Sequence, residues 1–185
     1  AWLRRDGGRP GDLLMVTGWL GAAAAGLRCL LHPDAASGMP EQLRDAWRSA
    51  LVAPRARISE GMQLVAAGIR CGGDISDGLI VDAGRTAVAS GCGAELWLDR
   101  IPVAPGLVEH FGRGRVELAL GGGEDFELLA AASPEQATET LARWPAELAP
   151  LAIAGRLVED DGVRLLASEQ GESLPLPASL ARHWR

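Results

Sequence analysis

Tyrosine is absent from the 185 residues, phenylalanine occurs twice, and the aromatic fraction is 4%. Alanine and other small side chains must therefore supply much of the core. An aromatic platform of the kind a glycosidase uses is missing near the acidic motifs. Cysteine is nearly as scarce. Cys29, Cys71 and Cys92 form no CxxC, and three thiols cannot all pair within one chain, so reduced and mostly buried thiols are expected. His32, His110 and His183 stand at no zinc-ligand spacing. Long hydrophobic runs are missing too. The stretch from Leu13 to Leu31 is interrupted by Thr17, by glycines and by Arg28, so it reads as a strand followed by a helix and not as a membrane span. A basic surplus is also lacking. The formal net charge is −6, which argues against a broad nucleic-acid surface but leaves room for a local phosphate pocket. The first residues, Ala1 and then Arg4-Arg5-Asp6, show no apolar signal region. They imply a cut, a processed end or an omitted stretch at the start, and a cytoplasmic location by default.

The remaining composition is that of a globular chain, with 48% hydrophobic and 23% charged residues. The length suits a single domain over residues 1–185, burying roughly 70% of its extended surface. The patterning predicts a strand over Asp12–Val16, a helix over Leu20–Leu31 and a helix over Glu41–Leu51. Gly26, inside the first helix, implies a close packing contact. Ser59 offers an N-cap for a helix to about Gly68 with an apolar stripe of Met62, Val65, Ala66 and Ile69. A helix to about Ala89, a strand over Ala94–Leu98 and a short helix near Val108 follow. A strand should emerge from Leu118–Leu129, followed by a helix over Glu135–Trp144. Leu151–Leu157 and Val163–Leu166 read as a hairpin turned at Glu159–Gly162. This order implies an α/β or α+β fold, a mixed sheet packed with helices.

Two stretches carry candidate chemistry. Asp74-Ile75-Ser76-Asp77-Gly78 follows two glycines and precedes a helix. Free amides at a helix start can hold phosphate, and carboxylates there can hold Mg²⁺ through hard oxygen ligands. Ser76 could equally be an N-cap, with Asp77 favouring the first turn. Gly121-Gly122-Gly123-Glu124-Asp125-Phe126-Glu127 permits close backbone approach and positive φ. If it is extended, Asp125 and Glu127 share a strand face while Glu124 sits in the turn; an ordinary solvated turn is the plain alternative. It lacks the Lys-Ser/Thr end of a P-loop and the glycine spacing of a dinucleotide fingerprint. Arg5 could pair with phosphate, and Asp12 could satisfy turn amides. No nucleophile stands out. Phosphoryl transfer, which needs positioning and electrostatics more than covalent chemistry from the protein, suits these residues best.

The motifs in combination resemble the C-terminal domain of the thiamine-monophosphate kinases, in the aminoimidazole ribonucleotide synthetase-like superfamily. Arg5-Asp6-Gly7-Gly8-Arg9-Pro10-Gly11-Asp12 is similar to that family's Arg-x-Gly-Ala-x-Pro-Gly-Asp stretch. Val16-Thr17-Gly18-Trp19-Leu20-Gly21 is similar to its Val-Thr-Gly-x-Leu-Gly, and Pro54 with Arg57 to its Pro-x-Pro-Arg. Asp74-Ile75-Ser76-Asp77-Gly78-Leu79 and Gly122-Gly123-Glu124-Asp125-Phe126-Glu127-Leu128-Leu129 resemble its two acidic motifs, with Phe126 in place of Tyr.

The resemblance implies ATP-dependent phosphorylation of thiamine monophosphate, with Mg²⁺ as cofactor. It implies ATP contacts from Arg5 and Ser76, metal ligation by Asp74 and Asp77, and substrate contact by Glu124, supported by Asp125, Gly122 and Gly123. It also implies a homodimer, and an N-terminal metal-binding, ATP-binding and dimerisation domain with no counterpart in these 185 residues. The isolated chain is accordingly expected to be inactive. Two positions depart from the family: Ala181 stands where an aromatic contacts substrate, and Leu51 where a histidine is usual. They keep a second reading open, a degenerate domain that binds a ligand or partner without catalysis, or another kinase or synthetase of the superfamily.

Overall fold

A computed structural model describes residues 2–34 and 36–177. Its centre is a mixed sheet of β1 (Leu13–Thr17), β2 (Cys71–Ile75), β3 (Gly93–Trp97), β4 (Glu127–Ala132), β5 (Leu151–Val158), β6 (Val163–Leu166) and β7 (Ser173–Leu174), in the order β2-β4-β1-β5-β3-β6-β7. All neighbours run antiparallel except β3 and β6. The helices are α1 (Ala22–Leu31), α2 (Glu41–Val52), α3 (Ile58–Ala66), α4 (Leu79–Ala89), α5 (Leu107–Phe111), α6 (Arg115–Gly121) and α7 (Pro134–Ala142).

The two-residue period of the central strands divides the core. Leu14 and Val16 of β1, with Leu129 and Ala131 of β4, face a cluster completed by α4 and α6 through Leu79, Ile80, Ala83, Ala119 and Leu120. Met15, Ala130 and Ala132 face the other way, against Leu64 of α3 and Ala137 of α7. A third cluster joins α1, α2 and α5 around Trp47 and Leu107. In α1, a Cβ on Gly26 would stand 2.3 Å from the Trp47 carbonyl oxygen, so this glycine sets the approach of α2.

Several sequence expectations change. Residues Cys71–Ile75, for which the patterning predicts no strand, form the edge strand β2. Leu118–Gly121 belongs to α6, so β4 starts only at Glu127. α3 starts at Ile58 with no side-chain cap; Met62 is exposed and Leu64 is buried instead, because the helix meets the sheet beside Leu128. The hairpin is split. β3 lies between β5 and β6, and the connecting turn crosses the start of β3 at Gly93, where a Cβ would stand 1.9 Å from the Asp160 carbonyl oxygen.

Candidate functional site

The two acidic stretches, 43 or more residues apart in sequence, meet at one end of the sheet. β2 delivers Asp74 and Ile75, and α4 begins after Gly78. Gly78 has φ 106°, and a Cβ there would stand 2.8 Å from the Gly121 Cα. The second loop is laced onto the first: the Glu124 amide donates to the Ser76 carbonyl at 2.8 Å and the Phe126 amide to the Ile75 carbonyl at 2.9 Å. Gly123, Glu124 and Phe126 all have positive φ, a conformation costing roughly 1–2 kcal/mol at each non-glycine position. This departs from the extended reading: Asp125 lies in the loop and does not share a strand face with Glu127.

Asp125 reaches the start of α1, where it accepts from the Gly21 amide at 2.8 Å and the Ala23 amide at 3.3 Å. Burial pushes its carboxyl up to about 6, opposed by these amide hydrogen bonds. Glu127 is buried. It takes both arms of Arg57 at 2.7 and 2.6 Å and the Thr17 hydroxyl at 2.8 Å; this pairing holds the Arg57 guanidinium above its usual range. A cleft of about 250 Å³ opens beside Trp19, Arg55, Arg57, Asp125 and Glu127. Glu124 is exposed at the tip of the loop.

Asp77 and Asp74 are about half exposed, and each carries an arginine. Arg5 donates to Asp74 at 2.8 Å. Arg5 lies over Gly73, where a Cβ would come within 2.9 Å of its Nε. Arg85 of α4 pairs with Asp77 and, at 3.1 Å, with Asp82. Neither Ser76 nor Asp77 caps α4. Instead the buried Asp82 reaches back from its first turn, and one oxygen accepts from the Ser76 amide at 3.0 Å and the Asp77 amide at 2.9 Å. These two amides are thereby committed within the protein, contrary to the expectation of free donors at this helix start. Asp82 and Arg85 were missed as site elements by sequence reading, and Arg57 and Glu127, each part of a quoted motif, were not expected to pair; Asp82, five residues after Asp77, was the available signal. Ala181 lies outside the described residues.

Among the described residues, no three His, Cys, Asp or Glu side chains converge on one point suited to a metal ion. Asp74 and Asp77 nonetheless fit Mg²⁺ by their hard oxygens and exposure, because Mg²⁺ commonly uses one or two carboxylates and completes its shell with substrate phosphates and water. All three cysteines are free, and desolvation raises each thiol above its usual range. No helix among the described residues is long and apolar enough to cross a membrane.

Residues 9–168 match the family described as AIR synthase related protein, C-terminal domain. The thiamine-monophosphate kinase of Caulobacter vibrioides is 32% identical over 167 residues, covering 86% of this chain and 45% of the relative. The crystal structure of thiamine-monophosphate kinase from Stenotrophomonas maltophilia K279a superposes with a TM-score of 0.78 at 33% identity, over 93% of this chain and 54% of that one. AaThiL complexed with AMPPCP and TMP superposes with a TM-score of 0.74 at 31% identity, over 92% and 53%. The chain thus spans about half the length of the relatives it matches. With the seven-stranded mixed sheet and its flanking helices in agreement, the chain belongs to the AIR synthase related family as a C-terminal domain, and it is similar to that part of the thiamine-monophosphate kinases.

Proposed function

We propose that this chain is the C-terminal half of a cytoplasmic, homodimeric thiamine-monophosphate kinase, which moves the γ-phosphoryl group of ATP onto thiamine monophosphate to give thiamine diphosphate and ADP. The observation that carries this reading is the lacing of the Gly122–Phe126 loop to Ile75 and Ser76 at the end of β2, which sets Asp74, Asp77 and Glu124 on one end of the sheet. The complex of AaThiL with AMPPCP, an ATP analogue, and TMP supports the same pair of substrates.

In this reading Asp74 and Asp77 hold Mg²⁺, which offsets phosphate charge when bound. Arg5 donates to the nucleotide phosphates, where its planar fork suits bidentate contact. Ser76 contributes its hydroxyl, and Glu124 meets the thiamine monophosphate at the loop tip, with Gly122 and Gly123 allowing close access. Asp125 fixes that loop to α1. The chain supplies positioned charge and no covalent partner, which is what phosphoryl transfer demands.

The test uses the complete protein with ATP, Mg²⁺ and thiamine monophosphate, following thiamine diphosphate. Asp77→Asn is expected to lower turnover at least about tenfold, the loss of one modest transition-state contact. Unchanged turnover removes Asp77 from the site; absence of product in the unsubstituted protein favours the non-catalytic reading.

A further inference from the structure

Arg5 on Asp74 belongs to the reading above, but Arg85 on Asp77 is not accounted for by it. Arg85 sits two turns into α4, three residues after Asp82, and its guanidinium bridges Asp82 and Asp77. The two carboxylates differ in kind. Asp82 is 1% exposed and locked by the Ser76 and Asp77 amides, so it is a fixed anchor. Asp77 and Arg85 have side chains 54% and 50% exposed, and an ion pair that open to solvent is weak and screened by salt. Arg85 could therefore give up Asp77 if that carboxylate were to hold a divalent cation, and would keep its contact with Asp82.

Two further facts set the demand for such a group. The Ser76 and Asp77 amides, which an uncapped helix start would offer to phosphate, are used by Asp82. The chain also contains no lysine, so its cationic donors to phosphate are arginines, and a guanidinium with five N–H groups can serve a carboxylate and a phosphate together.

We propose that Arg85 is a nucleotide-binding residue of this site, resting on Asp77 until a divalent cation takes that carboxylate and then donating to the nucleotide phosphates while anchored by Asp82. The proposal rests on the phosphoryl-transfer reading of the site, yet its test does not depend on turnover.

The experiment uses the complete protein with Arg85→Ala and Arg85→Lys. Mn²⁺, standing in for Mg²⁺, is titrated alone and followed by its electron paramagnetic resonance signal. AMPPCP is then titrated at saturating Mn²⁺ by calorimetry. Without nucleotide, Arg85→Ala is expected to bind Mn²⁺ up to about fivefold more tightly, because a weak competitor is gone. With Mn²⁺ present it is expected to bind AMPPCP about tenfold more weakly, the loss of a charge-assisted contact, with Arg85→Lys between it and wild type. Weakened Mn²⁺ binding in Arg85→Ala would mean that Arg85 props Asp77 in place, and would overturn the proposal. Unchanged AMPPCP affinity, or no AMPPCP binding by wild type, overturns it as well. Variants that show these shifts, beside a wild-type protein that forms no thiamine diphosphate, refute the kinase reading and leave Arg85 supported.

Discussion

Asp125 serves two opposed demands. Its carboxylate holds the start of α1 through the Gly21 and Ala23 amides, and this tie stabilises a loop in which Glu124 and Phe126 have positive φ. The same position is partly buried, so the ionised form is penalised and the carboxyl is raised to about 6. In the unfolded chain it titrates near 4. Between those two values the folded chain keeps a proton that the unfolded chain has lost. Stability therefore falls as pH rises from about 4 to about 6, and levels off above that. Asp125→Asn keeps a carbonyl oxygen for one amide and deletes the titration. Measured by urea unfolding from pH 4 to pH 7.5, the variant is expected to gain on wild type with rising pH, by at most about 3 kcal/mol. A difference between the two proteins that does not change with pH would refute this account. Asp125 was legible in the sequence as a site residue because it follows three glycines and an acid. Its partner was not, since nothing in residues 121–127 signals that the start of α1, about a hundred residues earlier, lies against them.

At the scale of elements, glycines at crossing points decide the packing. In α1, replacing Gly26 by Ala would gain up to about 1 kcal/mol of helix propensity. The added Cβ would meet the Trp47 carbonyl oxygen at 2.3 Å, and this is backbone within α2 that cannot rotate away. Overpacking of this kind costs about 1–3 kcal/mol. Gly26→Ala is therefore expected to lower stability by up to about 2 kcal/mol, read from the urea midpoint at unchanged m-value; a raised midpoint would show that α2 can shift away from α1. The sequence revealed this contact because a glycine inside a helix demands a reason. It revealed less where tertiary pairing overrides local pattern. β2 contains Gly72 and Gly73, poor strand formers, and is strand because it pairs along β4 from Cys71 to Ile75. The split of β5 from β6 depends on the crossing over Gly93, a contact between segments nearly seventy residues apart that turn signals cannot convey. Asp82 was overlooked for a related reason: an acid in a first helical turn is ordinary, and only the fold shows it turned back on the preceding amides.

For the whole molecule, the sheet has apolar clusters on both faces and a third cluster joining α1, α2 and α5. That arrangement is expected to let the 185 residues fold on their own. The site is another matter. Asp74, Asp77 and Glu124 lie at one end of the sheet, but no group of three ligating side chains forms among the described residues, and the chain spans about half the length of its relatives. A triphosphate carries more charge than two half-exposed carboxylates, one bridging cation and two arginines can organise, and the rate of phosphoryl transfer depends on charge fixed in place beforehand. The 185-residue chain is expected to give the circular dichroism of an α/β protein and a cooperative unfolding transition, yet to form no thiamine diphosphate from ATP, Mg²⁺ and thiamine monophosphate. Its exposed Leu27, Leu30, Leu31, Val52, Ile58 and Met62 are expected to give concentration-dependent self-association in sedimentation, since apolar surface of this extent tends to be covered. Turnover by the purified chain near that of the complete protein would show that these residues already contain the whole charge arrangement, and would overturn the half-site argument. An unfolded chain would instead show that the three clusters need the rest of the protein to hold together.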